Sequence, residues 1–188
     1  MKNTLAIVQA IASQSLQYAD SLDEFRANFQ ARVTALAYAH DLLTNSNWEG
    51  AHLCDIVDGA ITPFRGDGSP RLSAVGDRTV RIAPQSAVIL AVAFHELATN
   101  AAKHGALSND VGQVAIGWTV SASPGGRALQ VRWTETGGPP VSPPTRAGFG
   151  LRLIDKALSK QFANVRLDFA PEGLAYSLEV AGNGEVFG

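Results

Sequence analysis

Cys54 is the only cysteine among 188 residues, so neither an internal disulfide framework nor a cysteine-based zinc site can form within one chain. A buried structural thiol in a reducing compartment is the expectation. No run of about 18 apolar residues occurs and no signal-peptide pattern opens the sequence, so we expect no membrane contact and a cytoplasmic location. Charge of one sign is also missing. Lys+Arg number 15 against 17 Asp+Glu, and no basic cluster is interleaved with aromatics, which argues against a nucleic-acid partner. There is no Gly-x-x-x-x-Gly-Lys-Ser/Thr phosphate loop and no Gly-x-Ser-x-Gly elbow. His95-Glu96 does not open a zinc-protease helix, because Thr99 stands where the second histidine belongs. What is present is 46% hydrophobic residues, enough for a proper core.

Proline and glycine are absent from Lys2 to Leu43, and apolar residues recur there at helical spacing: Leu5, Val8, Ile11 and Ala12, then Phe25, Phe29, Val33, Leu36 and Leu43. Ser21-Leu22-Asp23-Glu24 reads as a capping box, so two helices forming a hairpin are expected with the break near residues 18–21. Such a hairpin cannot bury its stripes alone. Pairing with a second copy as a four-helix bundle is the favoured expectation, with packing on the following domain the alternative. A short helix is expected over about 51–61, ended by Pro63. Residues 71–75 and 79–82 read as strands joined by a Gly76-Asp77 turn, and Pro84 opens a long helix that Gly105 closes. Val114, Ile116, Trp118 and Val120, then Leu129, Val131 and Trp133, alternate as half-buried strands around a Pro124-Gly125-Gly126 turn. A proline-rich loop covers 137–147, a helix is expected over about 149–162, and 165–169 and 174–180 form a last hairpin. The fold class is α+β: an N-terminal helical hairpin over residues 1–46, then an α/β sandwich over 47–188 whose mixed sheet carries helices on one face.

The long helix carries the most informative run, His95-Glu96-Leu97-Ala98-Thr99-Asn100-Ala101-Ala102-Lys103-His104-Gly105. At about 100° per residue, Glu96, Asn100, Lys103 and His104 share an arc opposite the stripe of Leu90, Phe94, Leu97, Ala98 and Ala101. A carboxylate and an amide four residues apart are oxygen donors suited to Mg²⁺, which keeps several waters and shares its sites with phosphates. Lys103 is placed to meet those phosphates. A solvated polar face on an ordinary surface helix accounts for the same spacing equally well.

Strand alternation puts Leu129, Val131, Trp133 and Glu135 on one face, which is the apolar one. A carboxylate there is costly unless something donates to it, and the amino group of adenine is a suitable donor. The alternative is that Glu135 lies just past the strand edge in water. Gly137-Gly138 follows, and Gly148-Phe149-Gly150 opens the next helix. Glycine pairs let backbone approach a ligand and present N–H groups to anionic oxygens, and Arg146 is placed to reach phosphate. Each pair alone is weak evidence, because turns use glycine constantly.

Taken in order, the helical hairpin, His95-Glu96-Leu97-Ala98-Thr99-Asn100-Ala101, Trp133-Thr134-Glu135 and Gly148-Phe149-Gly150 resemble the catalytic core of a bacterial sensor histidine kinase of the HWE subfamily. Lys2-Asn3-Thr4-Leu5, His40-Asp41-Leu42-Leu43, Trp48-Glu49-Gly50 and Pro171-Glu172-Gly173-Leu174 extend the resemblance over nearly the whole chain. It implies an ATP-binding domain of the Bergerat type, shared with gyrase, Hsp90 and MutL, behind a dimerisation and phosphotransfer hairpin. Asn100 would ligate Mg²⁺, and Glu96, beside His95, would order a metal-bound water or act as the base. Lys103 and His104 would approach the phosphates, and Glu135 would read adenine. Gly137, Gly138, Arg146, Gly148, Phe149, Gly150 and Leu151 would shape and line the nucleotide site. ATP and Mg²⁺ are the implied cofactors, and a response regulator receiver domain and a second copy of the chain the implied partners.

One departure stands out. The family's acceptor histidine belongs to a His-Arg-Val-Lys-Asn run, and Met1 occupies the valine position before Lys2-Asn3, so the acceptor is expected two residues upstream, cut away or lost by degeneration. His40, near the apolar seam of the second helix, reads as structural, and His52 and His95 are no better placed as acceptors. Two other functions fit less well: a non-catalytic scaffold or phosphotransfer adaptor that recruits response regulators, whose nucleotide boxes would be eroded, and an energy-transducing ATPase, which needs a further domain.

Overall fold

The computed structural model describes residues 2–66, 71–123, 126–140, 163–170 and 173–182. Helices α1 (Lys2–Tyr18) and α2 (Leu22–Asn45) form the expected hairpin. Ser21 Oγ accepts from Glu24 N–H at 3.1 Å, and Glu24 Oε2 reaches back to Asp20 N–H at 3.0 Å, so the box works in both directions. Then follow β1 (Ala51–His52), α3 (Leu53–Ile61), β2 (Leu72–Gly76), β3 (Arg81–Ile82) and α4 (Pro84–Lys103). Strands β4 (Gln113–Ser123), β5 (Gly126–Thr136), β6 (Ala163–Ala170) and β7 (Gly173–Gly182) complete the order. The helix expected over 149–162 lies outside the described residues.

Five strands form one sheet in the order β2-β4-β5-β7-β6, with β2 parallel to β4 and every other pair antiparallel. The expectation of a hairpin across Gly76-Asp77 is corrected: β2 joins the large sheet, while β3 pairs antiparallel with β1. Two apolar runs beside a glycine look alike whether they pair with each other or with distant strands. Here Trp118 packs over Gly76, where a side chain would clash with its ring, and the Trp118 indole donates to the Asp77 carbonyl at 2.8 Å. That contact ties the end of β2 to β4.

Period-two alternation places Val114, Ile116 and Trp118 of β4, Leu129, Val131 and Trp133 of β5, and Leu174, Tyr176 and Leu178 of β7 against α3 and α4. Ala39 and Leu43 near the end of α2 belong to the same core, so packing runs unbroken across residue 46. A second small cluster of Ile11, Leu36 and Val92 joins α1, α2 and α4. The hairpin thus packs on α4 and the core of its own chain, while Leu5 and Leu16 on α1 stay exposed. No described helix is long and apolar enough to cross a membrane.

Candidate nucleotide site on helix α4

Helix α4 begins at Pro84, whose missing N–H costs nothing in the first turn, and ends where the His104 and Gly105 N–H groups both donate to the Asn100 carbonyl, at 2.8 and 3.0 Å. One residue further on, Ala106 N–H donates to Glu135 Oε2 at 2.8 Å. A single turn of backbone therefore links Asn100 to Glu135. Glu135 is 3% exposed on the apolar face of β5, as period two requires, and its other oxygen accepts from the Trp133 indole at 3.1 Å. The chain itself supplies the donors a buried carboxylate needs, and burial still holds the Glu135 carboxyl above the ordinary range, against the pull of those two bonds. Each carboxylate oxygen has two lone pairs, so acceptor capacity remains for a ligand amine.

Glycine makes this corner possible. A methyl group on Gly105 would stand 2.1 Å from Glu135 Oε2, and one on Gly138 2.7 Å from the Ala106 Cα. The Gly137 carbonyl accepts from the Asn109 amide at 2.9 Å, and Asn109 Oδ1 in turn accepts from the Val111 and Gly112 N–H groups. Gly137-Gly138 thus lets the segment after β5 lie flat on residues 105–112. Arg146, Gly148, Phe149, Gly150 and Leu151 fall outside the described residues.

The polar face of α4 is not open to water along its length. Glu96, 5% exposed, is gripped by Arg32 of α2: Nε donates to Oε1 at 2.7 Å and Nη2 to Oε2 at 3.0 Å. Nη1 of the same guanidinium donates to Ser15 Oγ of α1 at 2.7 Å. One helical turn beyond Asn100, Lys103 Nζ donates to Asn28 Oδ1 at 3.0 Å. Together with Leu36 beside Val92, these contacts show α2 running antiparallel along α4. Asn100 lies between Glu96 and Lys103, half-buried, with no side-chain hydrogen bond among the described residues. His104 is exposed. Glu96, as placed, gives one acceptor site of each oxygen to Arg32, so a metal or a base role would have to share this carboxylate with the guanidinium or displace it.

Sequence reasoning did not single out Arg32 or Asn28. The signal was present, because Arg32 falls between Phe29, Val33 and Leu36, where a charge within an apolar stripe requires a partner.

His95 packs against Phe64, ring centroids 5.7 Å apart, and its buried Nε2 has no partner among the described residues. Burial holds its pKa below the ordinary 6.5, Glu96 pulling the other way and Arg32 reinforcing burial. The folded chain then binds this proton less tightly than the unfolded one. Stability is full above the ordinary imidazole range and declines as pH falls through it toward the depressed folded value. Thermal melts over a pH series should show that decline, and His95→Leu should flatten it; an unchanged slope would contradict the assignment. His40 is exposed and meets Trp48 edge-on at 5.1 Å, and His52 is half-buried.

The model of the family described as HWE histidine kinase matches residues 1–78. Over these residues the chain belongs to the HWE histidine kinase family. Two curated relatives, both called blue-light-activated histidine kinase, are 38% identical in Brucella anthropi and 37% in Brucella ovis, each over 187 residues covering 99% of this chain. The chain spans 38% of the length of either relative. Among solved structures, the blue-light-activated histidine kinase EL346 of Erythrobacter litoralis superposes with TM-score 0.69 at 17% identity, over 95% of this chain and 57% of that one. The isolated histidine kinase domain of EL346 gives 0.66 at 14%, over 98% and 96%. The catalytic domain of the histidine kinase ThkA gives 0.52 at 14%, over 69% and 91%. The fold of this chain is that of histidine kinase catalytic domains, helical N-terminal region and mixed sheet included.

Proposed function

We propose that this chain binds Mg-ATP at the C-terminal half of α4 and the end of β5, and presents the γ-phosphoryl group for transfer to a histidine and onward relay to a response regulator aspartate. The observation that carries this reading is the joining of Asn100 to Glu135 through one helix-ending turn. That turn runs from the Asn100 backbone carbonyl through Ala106 N–H to the buried Glu135 carboxylate, which supports the two acting in one site. The residues fit the cofactors: Asn100 would give Mg²⁺ an oxygen ligand, Glu96 would join it or order a bound water once parted from Arg32, and phosphates and waters would complete the shell. Glu135 would accept from the adenine amino group, and Lys103 and His104, both exposed, would meet phosphate oxygens. Bound Mg²⁺ supplies charge neutralisation on the transferring phosphoryl group. The chain's own part is to orient the nucleotide and to exclude water from the adenine end. The proposed division assigns residues 1–46 to dimerisation and phosphotransfer and residues 47–188 to nucleotide binding. Exposed Leu5 and Leu16, which lie on one side of α1, support pairing with a second copy.

The test uses γ-labelled ATP on two chains, the 188-residue sequence and one in which His-Arg-Val replaces Met1. Acid-labile label is expected on the extended chain only, passing to an added receiver domain. An extended chain that binds ATP and takes up no label would overturn the kinase reading. A scaffold would recruit the receiver domain with no label on either chain.

A further inference from the structure

The antiparallel contact between α2 and α4 brings one cation onto the site described above. Arg32 is 8% exposed, and its guanidinium is divided between both Glu96 oxygens and Ser15 Oγ, so three helices meet on a single side chain. The flat fork of arginine matches a carboxylate edge to edge, which a single ammonium or a water does not. Glu96 lies one helical turn before Asn100, so a metal held by Asn100 would have this carboxylate one turn away on the same helix. The same carboxylate thus has two candidate cations, Arg32 and the metal.

We propose that Arg32 is a positioning residue for the phosphoryl transfer. It holds Glu96 and docks α2 along α4, and Glu96 would part from it to serve Mg-nucleotide held at Asn100. The inference rests on the reading that Asn100 faces Mg-ATP. Linkage then makes the effect reciprocal: whatever strengthens the Arg32 contact weakens Mg-nucleotide binding, and bound Mg-nucleotide loosens α2 from α4 by the same factor. Ser15 acts in the same direction by fixing the guanidinium plane, and Asn28 by accepting from Lys103 Nζ at 3.0 Å, a bond the lysine would give up to meet a phosphate.

The test is a comparison of ATP affinity with Mg²⁺ and in EDTA. Arg32→Met keeps the apolar stem and removes the cation. It should tighten Mg-ATP binding by about 5- to 150-fold, the usual span of a coupling between two sites, and leave ATP affinity in EDTA unchanged. Arg32→Lys should fall nearer to wild type, and Ser15→Ala should shift in the same sense by less. A general loosening of the fold would move both affinities together, and that outcome, or weaker Mg-ATP binding, would overturn the proposal. Hydrogen exchange on the wild-type chain needs no variant: amides of residues 22–36 should exchange faster with Mg-ATP than with ATP in EDTA, and equal rates would overturn it. Absence of ATP binding under both conditions would instead count against the nucleotide site itself.

Discussion

Glu135→Gln should cost the chain both stability and its preference for adenine. The carboxylate accepts from Ala106 N–H and from the Trp133 indole through different oxygens. Glutamine has one oxygen, so one of these donors must face an NH₂ group. A buried donor left without a partner costs about 1–3 kcal/mol, and the midpoint of a urea or thermal melt should fall accordingly. If the same carboxylate accepts from adenine, ATP affinity should drop by about 10-fold or more, since each 1.4 kcal/mol is a factor of ten. GTP, which lacks that amino group, should lose far less. Equal losses for ATP and GTP, or none, would show that Glu135 serves only the fold. Gly105 guards this corner from the other side, because any side chain there meets Glu135 Oε2 and the Ala101 Cα.

Asn100→Ala should remove the Mg²⁺-dependent part of nucleotide affinity while leaving the helix intact. Alanine is the best helix former, and Asn100 makes no side-chain hydrogen bond to lose among the described residues. Changes one shell out from a metal already cost about 10- to 100-fold, so loss of a direct ligand should cost at least that much. Displacement of a fluorescent ATP analogue, with and without Mg²⁺, reads it. Variant and wild type should converge in EDTA. A variant that matches wild type in Mg²⁺ would place the metal elsewhere.

Much of this could be read from the residues because local chemistry decided it. The capping box at Ser21, the proline that opens α4, and the alternation that turns Glu135 inward each depend on neighbours within a few positions, and each is where the spacing puts it. The pairing of Leu72–Gly76 with β4 was not legible, because a short apolar strand does not announce its partner and the turn glycine served a tryptophan ring instead. Glu96 marks the same limit at the site. Its place on the polar face of α4 follows from helical period, but the partner that engages both its oxygens is Arg32, 64 residues earlier. A helical wheel shows which residues share a face and says nothing of what covers it. Hairpin stripes alone do not say whether they face a second copy or the same chain: Leu36 is buried with Val92 of the same chain, while Leu5 and Leu16 stay exposed. The antiparallel match of α2 to α4 takes up the Leu36 face, and that match depends on residues far apart along the chain.

The central claim, that the turn joining Asn100 to Glu135 is one end of a Mg-ATP site, is tested most directly by isothermal titration of the wild-type chain. ATP should bind at one site per chain, more tightly in Mg²⁺ than in EDTA, and GTP more weakly than ATP. No heat with ATP in either buffer, or equal affinity for ATP and GTP, would contradict the account.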